Sequence, residues 1–397
     1  MHLLRLIDTR ETDAQIIPKG EKMEKKKQAN EPAQQIRCLC DSYFEIEKLP
    51  MDLQKLVAKF VANTNVKDYM SLRSVCRGWW SLAPPIRWRS DPTSLTSIEC
   101  WLMLFEREKG LWSFYDPMSN STYYMYSKEL LGCEIRFSND GWLLVTERLR
   151  SVLFFEFFSK TKIKLPDLVE DYCFDGISFS ASPISSDWVV FAISHTTSMV
   201  VNISYIKAGD ENWTSSRHDN GRPFVLSGCN PVFFDQCFYC MGEEGSLGTF
   251  RLTETGGSWL IRVHPQSSQC LQTMSRGFMV SFKKNLFSVF VGPMGKPVHI
   301  FQLNSSSTEW VKLTILGCQL FFFSQTSSLV VPAIGGTLKN KISFPAFASR
   351  NNSCIVYSLD NSRFGALGSD CSTEDLYDAK ELLGATWLQP RVIGTTA

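Results

Sequence analysis

The sequence predicts a two-part, multidomain chain: a small N-terminal helical module over residues 41–90, then a large all-β domain of β-propeller type over residues 95–390. Three observations predict it. Two apolar patterns of helical period lie between Leu49 and Leu82. From about Leu95 the texture changes to short apolar and aromatic runs separated by turn residues. Finally, roughly 290 residues of such strands exceed an ordinary sandwich, whereas blades of about 40–45 residues would accommodate some six or seven units.

The chain opens on a polar stretch over residues 1–40 that carries the cluster Lys22 to Lys27 interrupted by glutamate. Its apolar content is too low to offset the entropy of ordering, so it is expected to be a disordered leader, with a nuclear-import signal as the alternative. In the first helical pattern Leu49, Leu53, Leu56, Val57 and Phe60 share one stripe, while Asp52, Gln54, Lys55 and Lys59 fall elsewhere. The second follows Asn65 as N-cap and carries Tyr69, Leu72, Val75, Cys76, Trp79 and Leu82, with Gly78 loosening its last turn before Pro84 and Pro85 stop it. So short a helical unit is near the lower limit for an independent core and needs another surface. That surface is either a partner or the chain's own β domain.

Among the expected strands, Trp142-Leu143-Leu144-Val145, Val152-Leu153-Phe154-Phe155, Trp188-Val189-Val190-Phe191 and Met199-Val200-Val201 are continuous apolar runs. Runs without alternation imply strands covered on both faces. Asn139-Asp140-Gly141 and Asn220-Gly221 supply turn chemistry between them. The internal repeat is weak, because the pairs Gly256-Gly257 and Gly335-Gly336 lack the regular downstream Tyr and Trp of kelch repeats.

The order Leu49-Pro50, Asp52-Leu53, Leu56-Val57, then Leu72-Arg73-Ser74-Val75-Cys76-Arg77 with Trp79 and Ser81-Leu82 closely resembles the F-box. The F-box is the segment that docks the Skp adaptor of cullin-based ubiquitin ligases. The resemblance implies adaptor binding through Leu49, Pro50, Leu53, Leu56, Val57, Leu72, Val75, Cys76 and Trp79, split between the module's core and the adaptor groove. Two departures stand out: Val61 to Asn65 makes a longer linker than the family usually has, and Trp80 sits where a basic residue is common. A second resemblance, through Phe114-Tyr115-Asp116-Pro117, Asn139-Asp140-Gly141-Trp142, Lys162-Ile163-Lys164-Leu165-Pro166 and Val232-Phe233-Phe234-Asp235, is to the plant F-box-associated domain, often labelled kelch-like. The expected function is therefore substrate recognition within a Skp–cullin–F-box ubiquitin ligase. The propeller would present loops to a target protein, and catalysis would belong to other subunits.

Composition narrows the remaining classes. With 41 basic against 40 acidic residues there is no basic excess for a phosphate backbone, so nucleic acid is not expected as a partner. No apolar run approaches the ~18 residues of a membrane span and the N-terminal run is too short for a secretory signal, so a cytoplasmic or nuclear protein is expected. The 13 cysteines then read mostly as buried thiols. Cys237-Phe-Tyr-Cys240 is the best metal candidate, but zinc needs four ligands and no second close pair is visible. The histidines His2, His195, His218, His264 and His299 are far apart, and no phosphate-binding glycine loop occurs; the glycines from Gly242 to Gly248 read as a hairpin turn. No catalytic residue, cofactor or metal is expected. The alternatives are a propeller enzyme or small-molecule sensor capped by the helices, which convergent ionisable residues at the channel mouth would favour, and an F-box-like scaffold outside any ligase.

Overall fold

A computed structural model describes residues 49–64, 72, 75–82 and, with short gaps and a longer one at 263–275, residues 100–388. The expected polar leader lies outside the described residues. The chain divides into two units; among the described residues one carries the α-helices and the other the strands.

In the helical unit, α1 spans Met51–Thr64 and α2 spans Arg77–Leu82. Pro50 starts α1: its carbonyl accepts from Leu53 N at 2.9 Å and Gln54 N at 3.1 Å, and Asp52 places a carboxylate in the first turn, where the helix dipole favours it. The break in the second pattern falls at Cys76 rather than at Gly78, which lies inside α2. Cys76 acts as the N-cap, its Sγ accepting from Trp79 N at 3.5 Å while its carbonyl accepts from Trp80 N at 3.0 Å. The two helices contact one another.

The strands form six sheets, so the propeller has six blades rather than seven. Blade two shows the common pattern of four antiparallel strands: Glu134–Asn139, Trp142–Glu147, Ser151–Glu156 and Thr161–Lys164. Its first hairpin turns on Asp140 and Gly141, with φ of 48° and 79°, the mirror-image turn that the Asn-Asp-Gly sequence favours. Asn220-Gly221, by contrast, joins no hairpin. It follows the outer strand of blade three, and Asn220 there donates to Ser198 O at 3.1 Å.

Blade one closes the ring. It takes three strands from the front of the domain, and the first of them, Trp101–Glu106, pairs with Thr386–Leu388 from the far end of the chain, which supplies the innermost strand. The inner strands follow one another around the channel, with contacts from Thr386–Leu388 through Glu134–Asn139, Gly176–Phe179, Val232–Phe234 and Arg276–Phe282 to Leu329–Pro332. Blade six departs from the pattern with seven strands, among them a parallel pairing of Gln319–Phe322 with Lys341–Ala348.

Each sheet packs face to face on its neighbour, which is why the apolar runs do not alternate. Trp142, Leu144 and Phe154 of blade two share a core with Ile177, Phe179 and Val190 of blade three. Phe191 and Ile193 of blade three likewise pack with Phe238 and Phe250 of blade four. A tryptophan staple recurs between blades. The indole nitrogens of Trp213, Trp259 and Trp310 donate to Pro166 O at 2.8 Å, Asn220 Oδ1 at 3.0 Å and Gly245 O at 3.1 Å, each reaching back to the preceding blade. Trp387 repeats the device at the closure, donating to Phe323 O of blade six at 2.9 Å.

The glycines Gly248 and Gly257 make room for aromatic rings in blade four. A β-carbon at Gly248 would fall inside the Trp259 indole, and one at Gly257 inside the Phe250 ring. The pair Gly256-Gly257 thus serves packing. Gly248→Val is expected to displace Trp259, break its bond to Asn220 and destabilise the domain by roughly 1–3 kcal/mol. Thermal denaturation checks this; an unchanged midpoint would remove the staple from the stability argument.

Candidate functional site

Two regions hold chemistry that the fold leaves accessible: one face of α1 and the mouth of the propeller channel.

On α1, Ala58 is 1% exposed, whereas Leu53, Leu56 and Phe60 are 45%, 60% and 70% exposed. At about 100° per residue the last three lie within roughly 60° of one another, and Ala58 is nearly opposite. Val57 and Val61 are half-buried; Val61 falls on the Ala58 side and Val57 at the border between the two faces. The stripe expected from sequence therefore divides: Leu53, Leu56 and Phe60 form an exposed apolar ridge, and half-buried Val57 borders it. Leu49, Leu72, Val75 and Cys76 are half-buried, Pro50 is exposed and Trp79, at 3% exposure, belongs to the interior. Trp80, the departure from the F-box pattern, is 59% exposed. Period alone could not separate the two faces, because both are apolar.

The channel mouth holds a cavity of about 450 Å³. Arg107, Glu134, Arg136 and Asp175 bring charge of both signs to it, and Gln325 and Thr326 come from blade six. Leu104, Phe105 and Ile135 give it an apolar wall. Asn230 fixes the floor: its Nδ2 donates to Arg136 O at 2.5 Å and Thr326 O at 2.8 Å, and its Oδ1 accepts from Ile177 N at 3.0 Å. One side chain thereby ties blade four to blades two, three and six. Arg136 is itself anchored, Nη2 donating to Phe174 O at 2.7 Å. Asp175 Oδ2 accepts from His195 N at 2.8 Å and lies 2.7 Å from His195 Nδ1. None of these residues carried a motif in the sequence, since the ring brings them together from positions spread over Arg107 to Thr326.

Elsewhere the sequence candidates resolve into packing or surface pairs. Cys237 and Cys240, three residues apart on the strand Cys237–Met241, lie in different cores on opposite faces of the sheet, so they do not converge on one ion. Cys237 Sγ instead accepts from Arg251 Nε at 3.1 Å. After the outer strand of blade two, Asp171 pairs with Arg150 at 2.6 Å and Asp167 with Lys164 at 3.2 Å, both exposed. Burial pushes the Cys229 thiol up to about 11 and the Cys354 thiol up to about 12. A thiol whose pKa is raised holds little thiolate at neutral pH, so these cysteines are expected to resist alkylation in the folded protein while exposed Cys173 and Cys318 label readily. Mass spectrometry after brief iodoacetamide treatment at pH 8 reads this directly; early labelling of Cys354 would contradict the packing.

A family model described as the KIB1-4 beta-propeller matches residues 114–358. An Arabidopsis thaliana protein named as an F-box/kelch-repeat protein is 27% identical over 321 residues, covering 80% of this chain and 87% of the relative. A protein of the same plant named as an F-box protein is 26% identical over 307 residues, covering 75% of this chain and 76% of the relative. Among solved structures, a Synechocystis apocarotenoid oxygenase variant aligns over 77% of this chain and 96% of its own at 8% identity and a TM-score of 0.33, a likeness too slight to carry any argument.

Proposed function

Because this chain belongs to the KIB1-4 beta-propeller family, and its relatives are named F-box proteins, we propose that it is a non-catalytic substrate-recognition subunit of a Skp–cullin–F-box ubiquitin ligase. The observation that carries the reading is the exposed ridge Leu53, Leu56 and Phe60 on α1. Large apolar side chains in one solvent-facing row are what a helix offers to a hydrophobic groove. Burying each stabilises a complex by roughly 1.5–3 kcal/mol. Ala58 and Trp79 are the buried apolar side chains among the described residues of the module, and the ridge is left available to the Skp adaptor.

The propeller supplies the second surface, with the target protein bound by its loops. Carrying both surfaces on one chain raises the effective concentration of the target near the ligase machinery, so no catalytic group is needed here. Co-purification of the full chain with a recombinant Skp adaptor and cullin tests the first step. Failure of a well-folded chain to bind would sink it and return the helical unit to a structural cap.

A further inference from the structure

The channel mouth assembles opposite charges around an apolar wall, and this combination selects a ligand class. Arg107 and Arg136 balance Glu134 and Asp175, so the lining is neutral in sum but polarised in detail. A phosphate or nucleotide would meet two carboxylates, and a purely apolar ligand would strip water from four charged groups without replacing it. A molecule carrying one carboxylate and one ammonium meets an opposite charge at each end.

Two of the four charged groups, Arg136 and Asp175, are also held in place, as a binding site requires. A guanidinium has five N–H donors, and Arg136 gives one to Phe174 O; its Nη1 lies 3.7 Å from Glu134 Oε1, beyond good hydrogen-bond distance. Both His195 contacts of Asp175 fall on Oδ2, which leaves Oδ1 to accept from a ligand. Gly228 and Gly384 border the cavity with open space where side chains would stand. Its volume of about 450 Å³ lies within the roughly 300–1,000 Å³ usual for small-molecule sites.

We infer that the channel mouth binds a small amino-acid-like zwitterion. Arg136 and Arg107 take the carboxylate, Glu134 and Asp175 take the ammonium, and the apolar portion rests on Phe105 and Ile135. This site is independent of the adaptor ridge and stands whether or not the ligase reading does.

The test is calorimetric titration of the full chain with leucine and phenylalanine, each compared with its N-acetyl and methyl ester forms. The free amino acids are expected to bind, and each capped form to bind at least about tenfold more weakly, because capping removes one charge and leaves its partner at the cavity without a counterpart. Glu134→Gln, a change at a half-exposed side chain that the fold tolerates, is expected to weaken the free amino acids at least about tenfold and to leave the N-acetyl forms unchanged. Three results would overturn the inference: no heat with any probe up to about 10 mM, equal binding of free and capped forms, or an unaltered affinity in Glu134→Gln.

Discussion

Replacing Leu56 and Phe60 together with aspartate is expected to weaken adaptor binding at least a hundredfold while leaving the propeller's melting curve in place. The two side chains are 60% and 70% exposed, so the free protein loses little packing when they go. Their burial in a groove contributes roughly 3–6 kcal/mol together, equivalent to about two to four powers of ten in affinity. Introducing two carboxylates adds a desolvation cost on the same face. Leu49 and Pro50 weigh less: the Pro50 carbonyl that starts α1 is a backbone group that alanine also carries, so Leu49→Ala with Pro50→Ala is expected to cost nearer tenfold. Pull-down against the purified adaptor, with circular dichroism of each variant, measures both effects. Retention of the Leu56→Asp, Phe60→Asp chain at wild-type level would show that this ridge does not dock the adaptor.

Trp387→Ala is expected to be the most damaging single change in the propeller. Trp387 is 2% exposed, its ring lies 4.7 Å from that of Phe322, and its indole donates to Phe323 O at 2.9 Å. Beside it, Thr386 and Ser327 share a hydroxyl hydrogen bond, and Thr326 Oγ1 donates to Ala385 O at 2.8 Å. These contacts fasten the last strand to blade six while its backbone pairs with Trp101–Glu106, so they close the ring. Truncating a buried tryptophan costs about 3–5 kcal/mol, and a carbonyl left unpaired adds to it. For a domain of this size that lowers the melting temperature by about 10 °C. Trp387→Phe, which keeps most of the area and loses the indole donor, is expected to cost about 1–2 kcal/mol. A midpoint for Trp387→Ala within about 2 °C of wild type would mean that the ring does not depend on this closure.

Local chemistry was legible in the residues alone. The period of α1, the Asn-Asp-Gly hairpin and the continuous runs of strands such as Trp142–Glu147 and Cys237–Met241 follow from side-chain spacing and turn preferences, which act over a few residues. So did the glycine-rich turn between Cys237–Met241 and Leu247–Thr253, where Gly242 N donates to Ser246 O at 2.8 Å. The number of blades was not legible, because repeats of unequal length, with a seven-stranded last sheet, leave no fixed period to count. The tryptophan staples were also hidden, since each indole meets a backbone carbonyl or amide oxygen whose identity depends on the neighbouring blade.

Which face of α1 is exposed was decided by packing. Val57 and Leu56 are adjacent and both apolar, yet the first is half-buried and the second exposed, because Ala58 fixes which side lies within the module. The channel site depends still more on the tertiary structure. Arg107, Glu134, Arg136, Asp175 and Asn230 have no common spacing, and only closure of the ring by Thr386–Leu388 brings their strands around one axis. The sequence by itself determined the elements and their apolar faces, through forces that act between near neighbours. The tertiary structure decided which of those faces remain open and which distant charges meet, because both depend on contacts between residues that are not neighbours along the chain.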